Sequence, residues 1–246
     1  MNRHVRFVGA VALAGAGALA LGACSLRVGE TFSDDATVAQ QITAVRVDTS
    51  DGGVTVRGGK GGSTVSVHRK VTYRGDRPQG PTHRVEGGIL VLGGCGNDHC
   101  SVTYTVDLPG TVPVTGGTSN GAINLSKVAA VRVTTSNGEI DLDGVSGAVD
   151  VRSEDGAITG KGLAGTGIKA ETSDGEITLT AAKPQNIRAK TSNGAVSVTV
   201  PDDRYQVSAE TSNGAKRIEV RNDPSGRYRL DLTTSNGEIH AGTAGG

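Results

Sequence analysis

Thr135-Ser136-Asn137-Gly138-Glu139-Ile140 and Thr172-Ser173-Asp174-Gly175-Glu176-Ile177 are two copies of one string, and the way it recurs decides the fold. Its four-residue head appears seven times, ending at Gly121, Gly138, Gly156, Gly175, Gly194, Gly214 and Gly237. Glycine-to-glycine steps of 17, 18, 19, 19, 20 and 23 residues match the coil of a solenoid and are too short for separate domains.

Two places after each glycine stand Ile123, Ile140, Ile158, Ile177, Val196, Lys216 and Ile239, β-branched and apolar in six of seven. Five and seven places before it the pairs are again apolar, from Val133 and Val131 to Leu232 and Leu230. Both flanks alternate with period two, so each repeat reads as strand, Asx-Gly corner, strand, with one buried face. Length varies only in the other connection, as between 181–185 and 222–226, where loops absorb insertions.

Two all-β architectures fit this pattern: a parallel β-solenoid, and an antiparallel hairpin meander, since Asn-Gly also favours type I′ hairpins. Outward charges discriminate. Four places before glycine the order is Thr134, Arg152, Glu171, Lys190, Glu210, Thr233, and one place after it no two glutamates fall in consecutive repeats. Opposite charges on adjoining strands help and like charges hurt by some tenths of a kcal/mol, so parallel stacking is the expected fold. In it the glycine supplies a backbone angle other residues resist, and stacked Asn side chains bond along the axis. Lys216 breaks the pattern and predicts a bulge or shifted register in the sixth repeat.

Residues 40–115 are strand-rich but less regular, with an earlier corner of the same kind at Thr49-Ser50-Asp51-Gly52. They read as starting coils of one domain, 40–246, whose regular repeats occupy 116–241. Gly is abundant (38), Trp absent and Phe limited to two, which calls for a long, narrow core of small side chains.

The first 23 residues run from Arg3 and Arg6 through an apolar stretch at 7–21 to Leu21-Gly22-Ala23-Cys24. That order is a signal peptide, and 15 apolar residues are fewer than the roughly 20 that span a bilayer. The tetrapeptide resembles the lipobox of bacterial lipoproteins, which implies that Cys24 is diacylated and becomes the N-terminus; an ordinary cleavage site after Ala23 is the alternative. Residues 24–39 are expected to form a tether. The implied location is the outer face of the bacterial cytoplasmic membrane. Without the leader, 23 basic face 25 acidic side chains, so nucleic acid is not an expected partner. Cys95 and Cys100 flank Gly-Asn-Asp-His in an exported chain and are expected to form a local disulfide; the spacing fits neither C-x-x-C nor a zinc pattern.

The two strings quoted first, with the strand ending Val106-Asp107-Leu108-Pro109, resemble the putative-adhesin β-strand-repeat family of bacterial envelope proteins, a family of unknown function. The likeness covers about residues 40–241. It implies a right-handed β-helix-like solenoid at the cell envelope and offers no catalytic residues.

Gly117-Thr118-Ser119-Asn120-Gly121 matches the G-x-S-x-G hydrolase string, but that motif needs a strand-turn-helix setting. No catalytic residue, metal site or cofactor is expected, although acidic corners leave weak calcium binding open. Three function classes remain: a membrane-tethered binding, adhesin-like or structural module for a cell-surface glycan or protein; a glycan-active enzyme, which would need carboxylates about 5 to 10 Å apart in a groove; and an accessory or sensor lipoprotein.

Overall fold

The computed structural model describes residues 29–96 and 99–244, and all regular structure among them is β. The first seven strands are β1 (Glu30–Val38), β2 (Ala44–Asp48), β3 (Val54–Arg57), β4 (Val65–Tyr73), β5 (His83–Glu86), β6 (Ile89–Gly93) and β7 (Cys100–Asp107). The middle of the chain forms β8 (Val114–Asn120), β9 (Ile123–Ser126), β10 (Val131–Asn137), β11 (Ile140–Asp143), β12 (Val149–Arg152), β13 (Ile158–Leu163), β14 (Gly167–Glu171) and β15 (Ile177–Ala181). The last six are β16 (Asn186–Lys190), β17 (Val196–Val200), β18 (Tyr205–Asn213), β19 (Lys216–Ile218), β20 (Tyr228–Asn236) and β21 (Ile239–Thr243).

These strands make two mostly parallel sheets. The first runs β1-β4-β7-β3-β9-β11-β13-β15-β17-β21-β19 and the second β18-β20-β16-β14-β12-β10-β8-β2-β6-β5. Each coil contributes one strand to each sheet, so equivalent residues stack: Val54, Ile123, Ile140, Ile158, Ile177, Val196 and Ile239 pair in unbroken register. All seven are fully buried, and removing such a side chain from water contributes about 1.5–3 kcal/mol. The parallel solenoid is therefore the fold of the regular part. The antiparallel alternative holds only near the start, where β1 pairs with β4, β4 with β7 and β5 with β6.

Chain order and spatial order part company at both ends. Coil β2–β3 lies between coil β6–β7 and coil β8–β9, and coil β20–β21 lies between β16–β17 and β18–β19. The sixth repeat is thus the end of the stack. Lys216 stays in register with Ile239, so the expected bulge is absent there. An irregularity occurs instead in β13, between Gly160 and Leu163. A Cβ on Gly160 would come 2.8 Å from Leu163 Cδ1, so Leu163 fills the place a larger residue 160 would take.

Part of the expected tether belongs to the domain. Residues 24–39 were expected to lie outside the domain, yet Glu30–Val38 is a nine-residue strand paired along its whole length with β4. Phe32, Ala36 and Val38 pack on the core. The alternation is hidden in the sequence because Asp34 interrupts it, and its charge is matched by Arg69 through hydrogen bonds of 2.6 and 2.7 Å.

Candidate functional site

The repeated corners carry the most regular chemistry of the chain. The hydroxyl that opens each motif, buried except at Thr211, donates to a glycine carbonyl one coil away: Thr135 to Gly121 (3.1 Å), Ser153 to Gly138 (3.0 Å), Thr172 to Gly156 (3.0 Å), Thr191 to Gly175 (2.9 Å), Thr234 to Gly194 (2.9 Å) and Thr211 to Gly237 (3.0 Å). A Cβ on any of Gly121, Gly138, Gly156, Gly175, Gly194, Gly214 or Gly237 would collide with the backbone of the adjoining corner. Close stacking, rather than an unusual backbone angle, is what requires glycine here.

The position just before the glycine forms two amide ladders. Asn137 donates to Asn120 (2.9 Å) and Asn120 to Asp51 (2.8 Å). In the second ladder Asn213 donates to Asn236 (2.9 Å), Asn236 to Asn193 (2.8 Å) and Asn193 to Asp174 (2.6 Å). Each ladder ends on an aspartate because a carboxylate only accepts. Asp155 separates them, for it has no proton to donate to Asn137. One place after glycine, adjacent coils read Ala122, Glu139, Ala157, Glu176, Ala195, Glu238 and Ala215, each carbonyl accepting from the coil before it. Ala and Glu alternate strictly in space although they do not in chain order.

The outward faces differ in chemistry. The first sheet presents Thr55, Asn124, Asp141, Thr159, Thr178 and Ser197 in one row across adjoining strands. The second presents a charge lattice: Arg132–Asp150 at 3.4 Å, Arg152–Glu171 at 3.6 Å, Lys169–Glu171 at 3.2 Å and Arg188–Asp231 at 3.2 Å. Such exposed pairs contribute about 0–1 kcal/mol each, so they specify register more than they stabilise.

Hollows occur on both faces. On the first sheet one of about 310 Å³ is lined by Asp141, Asp143, Arg57 and Lys161. On the second, a trough runs across β14, β16, β20 and β18. It consists of adjoining hollows of about 680 and 360 Å³ that share Gln206, Arg229 and Asp231. Its larger part is lined by Lys169, Arg188, Arg227 and Arg229 against a single carboxylate, Asp231. We take this trough as the candidate site. The alternating rows reveal Lys169 and Arg188 in the sequence, but Arg229 stands beside Asn186 only because β20, not β18, pairs with β16.

Cys95 and Cys100 are joined by a disulfide, with Cα atoms 6.0 Å apart, at the corner between β6 and β7. Beside that corner the start of the stack holds a buried polar cluster. Arg69 is 7% exposed and also donates to the Gly80 carbonyl (3.0 Å) and to Thr82 (3.2 Å). Thr82 bonds the Tyr104 hydroxyl, which also donates to the Gly93 carbonyl at 2.8 Å. The guanidinium holds the Asp34 carboxyl below its usual range, burial pushes Tyr104 up to about 12, and burial lowers His83. The cluster is turned inward and fixes strand β1. Cys24 lies outside the described residues.

The Toastrack DUF4097 family model matches residues 110–243, more than half the chain. The chain belongs to this family. Solved structures similar to this Toastrack chain include a putative adhesin from Parabacteroides distasonis (14% identity, 89% of this chain and 98% of that one, TM-score 0.46). Others are a putative adhesin from Bacteroides fragilis (12%, 89% and 99%, 0.44) and a putative cell adhesion protein from Clostridium sporogenes (11%, 88% and 100%, 0.38). No curated protein matches the chain significantly.

Proposed function

We propose that the chain is exported, diacylated at Cys24 on the outer face of the bacterial cytoplasmic membrane, and acts there as a binding or adhesin-like module for a cell-surface polymer or protein, not as an enzyme. The observation that carries this reading is the use of the corner groups. The repeated hydroxyls and amides, which are the chain's most conspicuous chemistry, are spent on stacking the coils. What faces outward is two long sheet surfaces, the kind of surface by which solenoids engage partners. The leader and the Leu21-Gly22-Ala23-Cys24 string support the anchor.

Because β1 begins at Glu30, five residues separate it from Cys24, and they reach at most roughly 20 Å. Under this reading the start of the stack is held close to the bilayer.

Two measurements test the proposal. Cys24→Ala should abolish incorporation of radiolabelled palmitate and release the protein from membranes. The full chain, used as bait on envelope fractions, should retain a component that a variant shortened at 181–186 and 222–226 retains less well. Retention of nothing by either would sink the binding reading. The glycan-active alternative has one observation in its favour, the pair Asp141 and Asp143 side by side in the first-sheet hollow. Release of reducing ends from cell-wall glycan, lost in Asp141→Asn, would establish it instead.

A further inference from the structure

The second-sheet trough has three properties that the fold does not demand. Its charge is lopsided, with four cations and one acid along its larger part. Lys169 and Arg188 are compensated by Glu171 and Asp231. The other two are not: Arg229 has only the neutral Gln206 carbonyl oxygen as side-chain partner (3.4 Å), and Arg227 is exposed and forms no ion pair among the described residues. The chain as a whole is neutral, so this is a local concentration of positive charge.

The floor is also open without structural cause. Gly167 lies opposite Asn186, and a Cβ there would rest 3.6 Å from the Asn186 carbonyl oxygen, an ordinary contact. This sets it apart from the corner glycines, where a Cβ would collide with backbone. Gln206 and Asn186 then place amide groups beside the guanidiniums.

We infer that the trough binds a linear anionic polymer whose repeating phosphate or carboxylate groups are held by Arg227 and Arg229, with Gln206 and Asn186 as supporting polar contacts. Guanidinium presents paired donors that match phosphate or carboxylate oxygens, which a compact ammonium does not. A polymer strand suits the site better than a bilayer surface for two reasons. The charges line a recess rather than a projecting ridge. The trough also lies at the far end of the stack from the tether: β15, on the same coil as β14, stands seven strand spacings from β1, roughly 30 Å. The coil exchange has a consequence here, since it is the insertion of β20 that brings Arg229 over Asn186. The inference rests on the envelope-binding reading for its biological setting, but its chemistry can be tested separately.

The experiment immobilises the full chain and passes over it linear polyphosphate, poly-L-glutamate, orthophosphate, and vesicles of phosphatidylcholine with or without phosphatidylglycerol. Both polymers should bind, weakening as salt rises, and orthophosphate should bind far more weakly. Arg227→Gln combined with Arg229→Gln should cut polymer affinity about tenfold, a loss of about 1.4 kcal/mol. Gly167→Gln should do the same by filling the floor, whereas Arg217→Gln on the first sheet should change nothing. Absence of polymer binding, or binding that the trough variants leave intact, overturns the inference. Anionic vesicles binding as tightly as polymer, with the same dependence on Arg227 and Arg229, overturns it in favour of a membrane surface. If the trough variants still retain the same envelope component as the unaltered chain, the trough inference fails while the binding function stands.

Discussion

At the start of the stack, coil β2–β3 lies inside coil β6–β7; at the far end, coil β20–β21 lies inside coil β18–β19. Both terminal coils carry a fully buried tyrosine, Tyr104 and Tyr205, each pushed up to about 12 by burial. Every aromatic side chain among the described residues belongs to the end coils or the strands beside them: Phe32, Tyr73 and Tyr104 at one end, Tyr205 and Tyr228 at the other. The coils between are filled by Ile, Val, Leu and Ala. The ends then diverge. The start is continued by antiparallel β4 and β1 and by β5, locked through Arg69 and Asp34. At the far end no further coil follows among the described residues, but the segment after β19 returns along β18, where Asn222 bridges Tyr205 and accepts from the Val207 N–H (3.0 Å); Lys216 stands at the position where other coils bury Ile or Val, its ammonium donating to the Ala209 carbonyl at 3.3 Å. An end coil exposes backbone groups that invite another strand. The start answers by covering them with further strands held through Arg69 and Asp34, the far end by a short return segment laid along β18 and by charge on β19.

The largest effect of substitution is expected between the middle of the stack and its far end. Gly156→Ala drives a Cβ into the Gly138 corner, with neighbours on both sides, and should destabilise by about 3 kcal/mol in urea titration. Gly214→Ala meets the Gly237 corner but has no coil beyond it, so the end coil can shift and the cost should be about 1 kcal/mol. Equal costs would mean that the end is as rigid as the middle.

Arg69→Met should cost about 2 kcal/mol, at the low side for a buried pair because Asp34 remains 42% exposed. Hydrogen exchange should speed up in β1 and β4 and stay unchanged in β18 and β19. Acidification should loosen the same end. Asp34 is held below its usual value by Arg69, so its stabilisation is present above the unfolded pKa and lost as pH falls through the lowered folded one. His83 is lowered by burial, so stability falls as pH drops from its unfolded pKa of about 6.5 towards its lower folded value. Exchange protection in β1 should therefore decay on going from pH 7 to 3 before that of β20. Lys216→Ile should change stability by less than about 1 kcal/mol but raise self-association in light scattering, because it removes the charge that blunts the edge strand β19.

Much of this was legible because the repeat is short and nearly exact. Alternation around Gly138 and Gly175, together with the sign order of Arg152, Glu171 and Lys190, selects parallel stacking, since the side chains that become neighbours are chain equivalents. The spacing of Cys95 and Cys100 pointed to the disulfide. What escaped was long-range. Asp34 looked like a tether residue because its partner is 35 residues away. Lys216 looked like a local defect because nothing local says that its coil is the last. Arg227 and Arg229 carry no pattern at all until the trough assembles around them.

The coil follows from local sequence: a two-residue alternation and an Asn-Gly corner are satisfied only when a copy of the same element lies alongside, and the chain supplies those copies in series. The order of the coils at the two ends is set by long-range packing instead. Equivalent strands are nearly interchangeable as hydrogen-bonding partners, so their sequence of stacking is set by which coil can tolerate solvent on one side. The aromatic plugs, Lys216 and the Arg69–Asp34 pair answer that question, the plugs and the ion pair through contacts between residues far apart in the chain.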